Sequence, residues 1–76
     1  MKSYFGSFYS SHGAESQASS VLIFDKNINI GFRNADGTTT TLDWALKDID
    51  ASFDFSTQST RLKYNKQSGQ EVLIEG

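Results

Sequence analysis

The chain has 76 residues, of which 37% are hydrophobic and 13% aromatic, and it contains no cysteine and no proline. This length allows one small domain, and the lack of cysteine excludes disulfides, thiolate metal sites and a thiol nucleophile. With 7 basic and 9 acidic residues the formal charge is −2, which argues against broad binding to nucleic acid or anionic lipid.

The apolar runs of the sequence are short for a targeting or membrane segment. The N-terminus lacks the apolar core of a signal peptide. The longest uninterrupted apolar run, at 21–24, is far shorter than the roughly 20 residues that span a bilayer. The sequence therefore predicts a soluble, cytoplasmic domain with no membrane span.

Alternation of apolar and polar residues with a period of two dominates the chain, as in half-buried antiparallel strands. The clearest alternating sets are Ile28, Ile30 and Phe32, then Phe53 and Phe55, then Leu62 and Tyr64. Together with the turns, they predict strands at about 2–9, 16–24, 28–33, 38–43, 50–56, 60–65 and 71–75.

Short polar segments separate these strands. Residues 34–37 and 66–69 each end in glycine, Gly37 and Gly69, where a left-handed conformation closes a hairpin with the least strain. Residues 25–27 form a very short connection, and 56–59 a weaker turn. Gly31 lies inside a strand and predicts a bulge.

The segment around Trp44 fits two structures. Leu42, Ala45, Leu46 and Ile49 match a helical stripe, whereas Leu42, Trp44 and Leu46 match a strand. Because the segment is short for an independent helix, we favour a strand followed by a turn and keep a single helical turn as the alternative. The whole pattern predicts an all-β fold, a small antiparallel meander of six to seven strands that curls into a partly open barrel or roll.

Candidate catalytic and metal-binding residues are weak. His12 follows two serines in a polar loop, but neighbours in sequence rarely reach the geometry that activates a nucleophile. Residues 25–36 resemble a calcium loop in their first positions, yet Ile30 stands where glycine is required. The aspartates between 43 and 54 fit a solvated face better than a site. We expect no catalytic residue, no metal and no cofactor.

Aromatic and basic residues supply the candidate interaction residues. Tyr4 and Phe8 share one face of the first strand, and Phe5 and Tyr9 share the other. Either pair fits core packing, and the remaining face fits a contact surface. Trp44 fits a buried anchor or an interface hot spot. A basic strand places Arg61, Lys63 and Tyr64 close together, as in proteins that bind single-stranded nucleic acid.

The order of these elements resembles a known family. An aromatic-glycine opening (4–6), a serine-rich loop, the apolar strand at 18–24 and the segment Trp44, Leu46, Ile49 are similar to the PH-like N-terminal accessory domain of bacterial membrane-anchored zinc metallopeptidases. The resemblance implies a PH-like barrel. The peptidase's His-Glu-x-x-His zinc motif is absent from this sequence, so the resemblance implies no catalysis by this chain.

Taken together, the sequence predicts a non-enzymatic regulatory or protein-interaction module. The partner that the resemblance implies is a protein, such as a fused or neighbouring peptidase domain. The alternative is a small β-barrel that binds single-stranded nucleic acid through Arg61, Lys63 and Tyr64. The residue pattern gives no ligand, oligomeric state or strand order.

Overall fold

A computed structural model describes residues 1–67 and 69–75 of the chain. The described residues form seven strands: β1 (Lys2–Tyr9), β2 (Gln17–Ile23), β3 (Asn27–Arg33), β4 (Thr39–Ala45), β5 (Ile49–Asp54), β6 (Ser59–Tyr64) and β7 (Glu71–Glu75). A single 3₁₀ turn, Leu46–Asp48, connects β4 to β5. The all-β prediction is confirmed, and each predicted strand coincides with an observed one to within two residues at its ends.

The strands form one antiparallel sheet in the order β4-β3-β2-β1-β7-β6-β5. Tight connections build two meanders, β1 to β4 and β5 to β7, and the pairing of β1 with β7 joins them. The sheet curls into a half-barrel, so β4 and β5 are its edges. This confirms the predicted partly open barrel.

The period-two alternation places one apolar set on the concave inner face of the sheet. The buried core consists of Phe8, Val21, Ile28, Ile30, Trp44, Leu62 and Val72. Two aromatic stacks tie its strands together: the rings of Phe8 and Phe32 lie 4.7 Å apart, and those of Trp44 and Tyr64 lie 4.8 Å apart with planes only 1° from parallel. Offset or parallel stacking of this kind adds to the stability that burial provides.

The predicted glycine turns are confirmed where the structure describes them. Gly37 has a φ of 89° and Gly69 a φ of 85°, both left-handed. Ser68, in the second of these turns, lies outside the described residues. The segment around Trp44 combines the two alternatives, because β4 continues to Ala45 and the 3₁₀ turn follows at once.

The predicted bulge at Gly31 is wrong. Gly31 pairs in regular register with Ser20 on one side and Thr41 on the other. The glycine that the fold requires is Gly6, where an added Cβ would lie 2.7 Å from the backbone oxygen of Leu73. Glycine at this position therefore lets β1 and β7 approach closely.

Among the described residues, no helix has the length and apolar composition needed to cross a membrane.

Candidate functional site: an apolar cleft on the inner face

The inner face of the sheet is not fully covered, and an apolar cleft of about 260 Å³ opens on it. Side chains from five strands and one turn line this cleft: Tyr4, Ile23, Phe53, Gln58, Thr60, Leu62, Ile74 and Glu75. Leu62 is buried, whereas Tyr4 and Phe53 retain 39% and 51% of their exposure. The cleft is the largely apolar, solvent-open end of the half-barrel's interior.

The cleft stays open because β5 extends beyond the part of the core that other strands cover. Every residue of β5 after Ile49 is exposed. Phe53 faces inward opposite Thr60, and the rings of Phe53 and Phe55 meet edge to face with their centres 4.8 Å apart. Phe55 is itself 85% exposed. Large aromatic side chains left in water next to an apolar cleft are typical of contact surfaces.

The structure separates the predicted interaction residues. Tyr4 lies in the cleft. Phe8 and Trp44 are buried in the core, so their interpretation as core residues holds and they offer no free surface. Phe5, the outward neighbour of Tyr4, is 83% exposed on the opposite face.

The basic strand does not form a stacking platform. Arg61 and Lys63 lie on the outer face of β6, whereas the Tyr64 ring lies on the inner face against Trp44. Arg61 Nε is 3.2 Å from Glu71 Oε2 on the neighbouring strand, and Lys63 pairs in register with Asp50. Each basic residue therefore has an acidic neighbour, which reduces the positive potential that a nucleic-acid backbone needs.

His12 lies beside a second, polar cavity of about 310 Å³, which Asp50, Lys63, Tyr64 and Glu71 also line. The loop that carries His12 packs against Gly69, where an added Cβ would lie 2.9 Å from the His12 backbone nitrogen. The fold thus brings His12 close to residues that are distant in sequence. Within residues 1–67 and 69–75, no hydrogen bond joins its imidazole to a carboxylate or a serine.

The residues that resemble a calcium loop have a structural use. Ile28 and Ile30 are buried in the core. The amides of Asn27 and Asn29 both donate to the Asp43 carboxylate across the strands, at 2.6 and 3.0 Å. In the described part of the chain, no group of three histidine, cysteine or acidic residues is placed to hold a metal ion.

Two exposed carboxylates have a shifted pKa. The hydroxyl and then the backbone N–H of Thr38 donate to Asp36, and those of Ser56 donate in the same way to Asp54. These bonds stabilise the ionised form and lower the pKa of both carboxyls below the ordinary value of 3.8. Asp54 therefore stays charged at the end of β5.

Sequence reasoning missed most of the cleft. Ile23, Phe53, Thr60 and Ile74 were assigned to strands but not to a site. Their inward direction follows from the alternation, but whether an inward residue is covered depends on the strand order. A cue was present in the pattern of residues 50–55, where phenylalanines alternate with aspartates in an otherwise polar segment.

Comparison with known proteins finds no matching family profile, curated protein or solved structure.

Proposed function

We propose that this chain is a non-catalytic protein-interaction module and that the apolar cleft is its contact surface. The observation that carries the proposal is the exposure of Tyr4 and Phe53 around a cleft with a buried apolar floor at Leu62. Desolvating such side chains against a partner supplies free energy of association in proportion to the apolar area covered.

The size of the cleft favours side chains of a protein over a small ligand. Sites for drug-sized molecules and cofactors usually measure about 300–1,000 Å³ and enclose most of the ligand. This cleft, at about 260 Å³, is smaller and open to solvent. It suits one or two apolar side chains presented by a partner, with Gln58 supplying a polar rim.

The arrangement of charge favours a protein partner over single-stranded nucleic acid. Arg61 and Lys63 lie beside Glu71 and Asp50, and Tyr64 is held in the core by Trp44. Stacking of bases requires an accessible aromatic face within a basic groove. The cleft offers aromatic residues but no basic side chain in its lining.

The half-barrel is compatible with the PH-like accessory domain that the sequence resembles, and a cytoplasmic regulatory role beside a peptidase domain belongs to the same proposal. PH-like folds serve many binding roles, so the fold does not select the partner. The partner is selected by the apolar chemistry of the cleft.

Site-specific photo-crosslinking tests this proposal. The photoreactive residue p-benzoylphenylalanine replaces Phe53 in one variant and Phe5 in a matched control, since both phenylalanines are exposed but lie on opposite faces. In cells that make the protein, we expect a discrete protein adduct from position 53 and none from position 5. Adding Thr60→Glu, which places a charge in the cleft, should abolish the adduct.

Three outcomes would count against the proposal: adducts of equal yield from both positions, no adduct from position 53, or an adduct that persists in the Thr60→Glu background. A two-dimensional ¹H–¹⁵N spectrum of each variant establishes that the fold is intact before the comparison is made.

A further inference from the structure

We propose that β5 is a docking edge for an extended segment of a partner protein, which adds to the sheet as an eighth strand and carries basic and apolar residues in alternation. This inference rests on the proposed function and specifies the chemistry of the partner. Addition of a strand to an exposed sheet edge is a recurring mode of peptide recognition.

The first observation is that β5 has free backbone groups along its open edge, on the side away from β6. The N–H of Tyr64 donates to Gln70 on the β7 side, so the backbone groups of Tyr64 point away from its register partner Ile49. Pairs alternate along an antiparallel ladder. Asp50, Ser52 and Asp54 therefore bond to β6, and the N–H and C=O groups of Ala51 and Phe53 point away from it. The N–H of Ile49 is already used, because it donates to the carbonyl oxygen of Leu46.

The second observation is that this edge lacks most of the usual protection. Natural edge strands are usually blocked by charged side chains, above all lysine, or by proline, a bulge or a covering segment. The only charges on β5 are those of Asp50 and Asp54, which repel acidic segments but not basic ones. β5 has a regular register, no lysine and no proline, and all of its residues after Ile49 are exposed. The other edge, β4, is more buried, and its Asp43 already accepts bonds from two asparagines.

The third observation is an alternation of charge across the outer face. Glu71 and Glu75 lie on β7, Arg61 and Lys63 on β6, and Asp50 and Asp54 on β5. Cross-strand pairs of opposite charge stabilise neighbouring strands, and like charges destabilise them. From β7 through β6 to β5 the outer-face charges are negative, then positive, then negative. An added strand that continues this alternation carries basic residues.

The inner side of the added strand meets apolar residues. Ala51 and Phe53 face inward, and Phe53 borders the cleft. Because side chains alternate between faces, a segment that places lysine or arginine beside Asp50 and Asp54 places its intervening residues toward Phe53 and the cleft. The two basic residues are four positions apart, with apolar residues on either side of each.

A second copy of this chain fits the edge poorly. Two β5 strands paired antiparallel about Ser52 place Asp50 of one copy directly opposite Asp54 of the other, at both ends of the contact. Pairing about Ala51 instead brings Asp54 opposite Asp48 of the second copy. Pairing about Phe53 places Asp54 opposite Ser52 and Asp50 opposite Ser56, so it avoids opposed like charges but supplies no basic partner to either aspartate. Like charges directly opposite each other are unfavourable, and opposite charges are favourable. A different, basic segment therefore fits this edge better than a second copy does.

The test uses an acetylated and amidated probe peptide, Thr-Val-Lys-Val-Thr-Val-Lys-Val-Thr, added to the ¹⁵N-labelled chain. Strand addition predicts that exchange of the amide protons of Ala51 and Phe53 slows on binding, whereas that of Ile49, which already donates to Leu46, changes little. The amides of Asp50, Ser52 and Asp54, already bonded to β6, should change little. A peptide with glutamate for both lysines should bind about tenfold more weakly or worse.

Charge reversal in the protein provides the matched variants. Asp50→Lys with Asp54→Lys should invert the preference, so that the glutamate peptide binds better than the lysine peptide. The control, Glu15→Lys with Asp36→Lys, makes the same change in net charge, and Asp36 accepts bonds from Thr38 as Asp54 does from Ser56. This control should retain the original preference.

Ala51→Pro offers a separate test, because proline removes a backbone N–H that a partner strand would use. The N–H of residue 51 points away from β6, so the pairing of β5 with β6 is kept. We expect loss of peptide binding with the fold retained in the ¹H–¹⁵N spectrum. If this variant does not fold, the charge-reversal pair still decides the question.

The outcomes separate this inference from the proposed function. Peptide shifts confined to Thr60, Ile74 and other cleft residues, without slowed exchange at Ala51 and Phe53, would overturn strand addition and leave the cleft as a contact surface. Equal binding of lysine and glutamate peptides, or dimers of the chain formed through β5, would overturn the charge argument. Failure of the photo-crosslinking test as well would overturn the proposed function itself.

Discussion

Replacing Tyr64 with alanine distinguishes a core residue from a base-stacking residue. The Tyr64 ring is half-buried and lies parallel to the indole of Trp44, with ring centres 4.8 Å apart. If this contact is structural, removing the ring leaves one face of Trp44 without a partner. It also opens the interior of the half-barrel between β4 and β6.

The expected loss of stability is large for so small a domain. Truncation of a fully buried aromatic costs about 3–5 kcal/mol. Because Tyr64 is only half-buried, we expect Tyr64→Ala to lower the free energy of unfolding by about 2–3 kcal/mol, stacking included. A core of this size rarely supplies more than about 3–5 kcal/mol in total. The variant should therefore be close to unfolding.

Urea unfolding followed by tryptophan fluorescence provides the assay. With a urea dependence of about 1 kcal/mol per molar, the midpoint should fall by about 2–3 M. Tyr64→Phe keeps the ring and should stay close to the parent. Phe5→Ala removes an exposed ring from the outer face and should change stability by no more than about 0.5 kcal/mol.

If Tyr64→Ala lowered the free energy of unfolding no more than Phe5→Ala does, the contact of Tyr64 with Trp44 would not be structural. The ring would then be free to stack on a base, and the nucleic-acid alternative would regain its main residue.

Two further predictions concern the sheet and its turns. Gly6→Ala should destabilise by about 1–3 kcal/mol in the same urea assay because its Cβ meets the backbone oxygen of Leu73. Gly31→Ala, which meets only a serine hydroxyl, should cost clearly less, and equal losses would contradict the close approach at Gly6. The folded-state pKa values of Asp36 and Asp54 are lowered, so their stabilising contribution is present above about pH 4 and lost as the pH falls through the folded-state pKa values. Urea midpoints measured as a function of pH should show this decline, and substituting both residues with asparagine should flatten it; an unchanged pH profile would contradict the assignment.

The strands and turns could be predicted because their causes are local. Alternation at Ile28 and Ile30 fixed both the strand and its buried face, and Gly37 and Gly69 marked turns that need a left-handed residue. The 3₁₀ turn after Ala45 was harder, since apolar residues at 42–49 satisfy both periods.

The cleft could not be predicted because it depends on pairings between distant parts of the chain. Only the contact of β1 with β7 places Tyr4 on the same side of the sheet as Ile74. The same holds for the ion pair of Arg61 with Glu71, which alters the meaning of the basic strand. Sequence spacing reveals which way a strand residue faces, whereas strand order determines what covers it.

The most direct test of the central claim is to titrate the ¹⁵N-labelled chain separately with the alternating lysine–valine peptide and with single-stranded oligothymidylate. We expect the peptide to change the chemical shifts of the Phe53, Thr60 and Ile74 amides around the cleft. We expect the oligonucleotide to leave the amide shifts of Arg61 and Lys63 unchanged even at low salt. Oligonucleotide shifts centred on β6 that weaken as salt is added, together with no response to the peptide, would contradict the central claim.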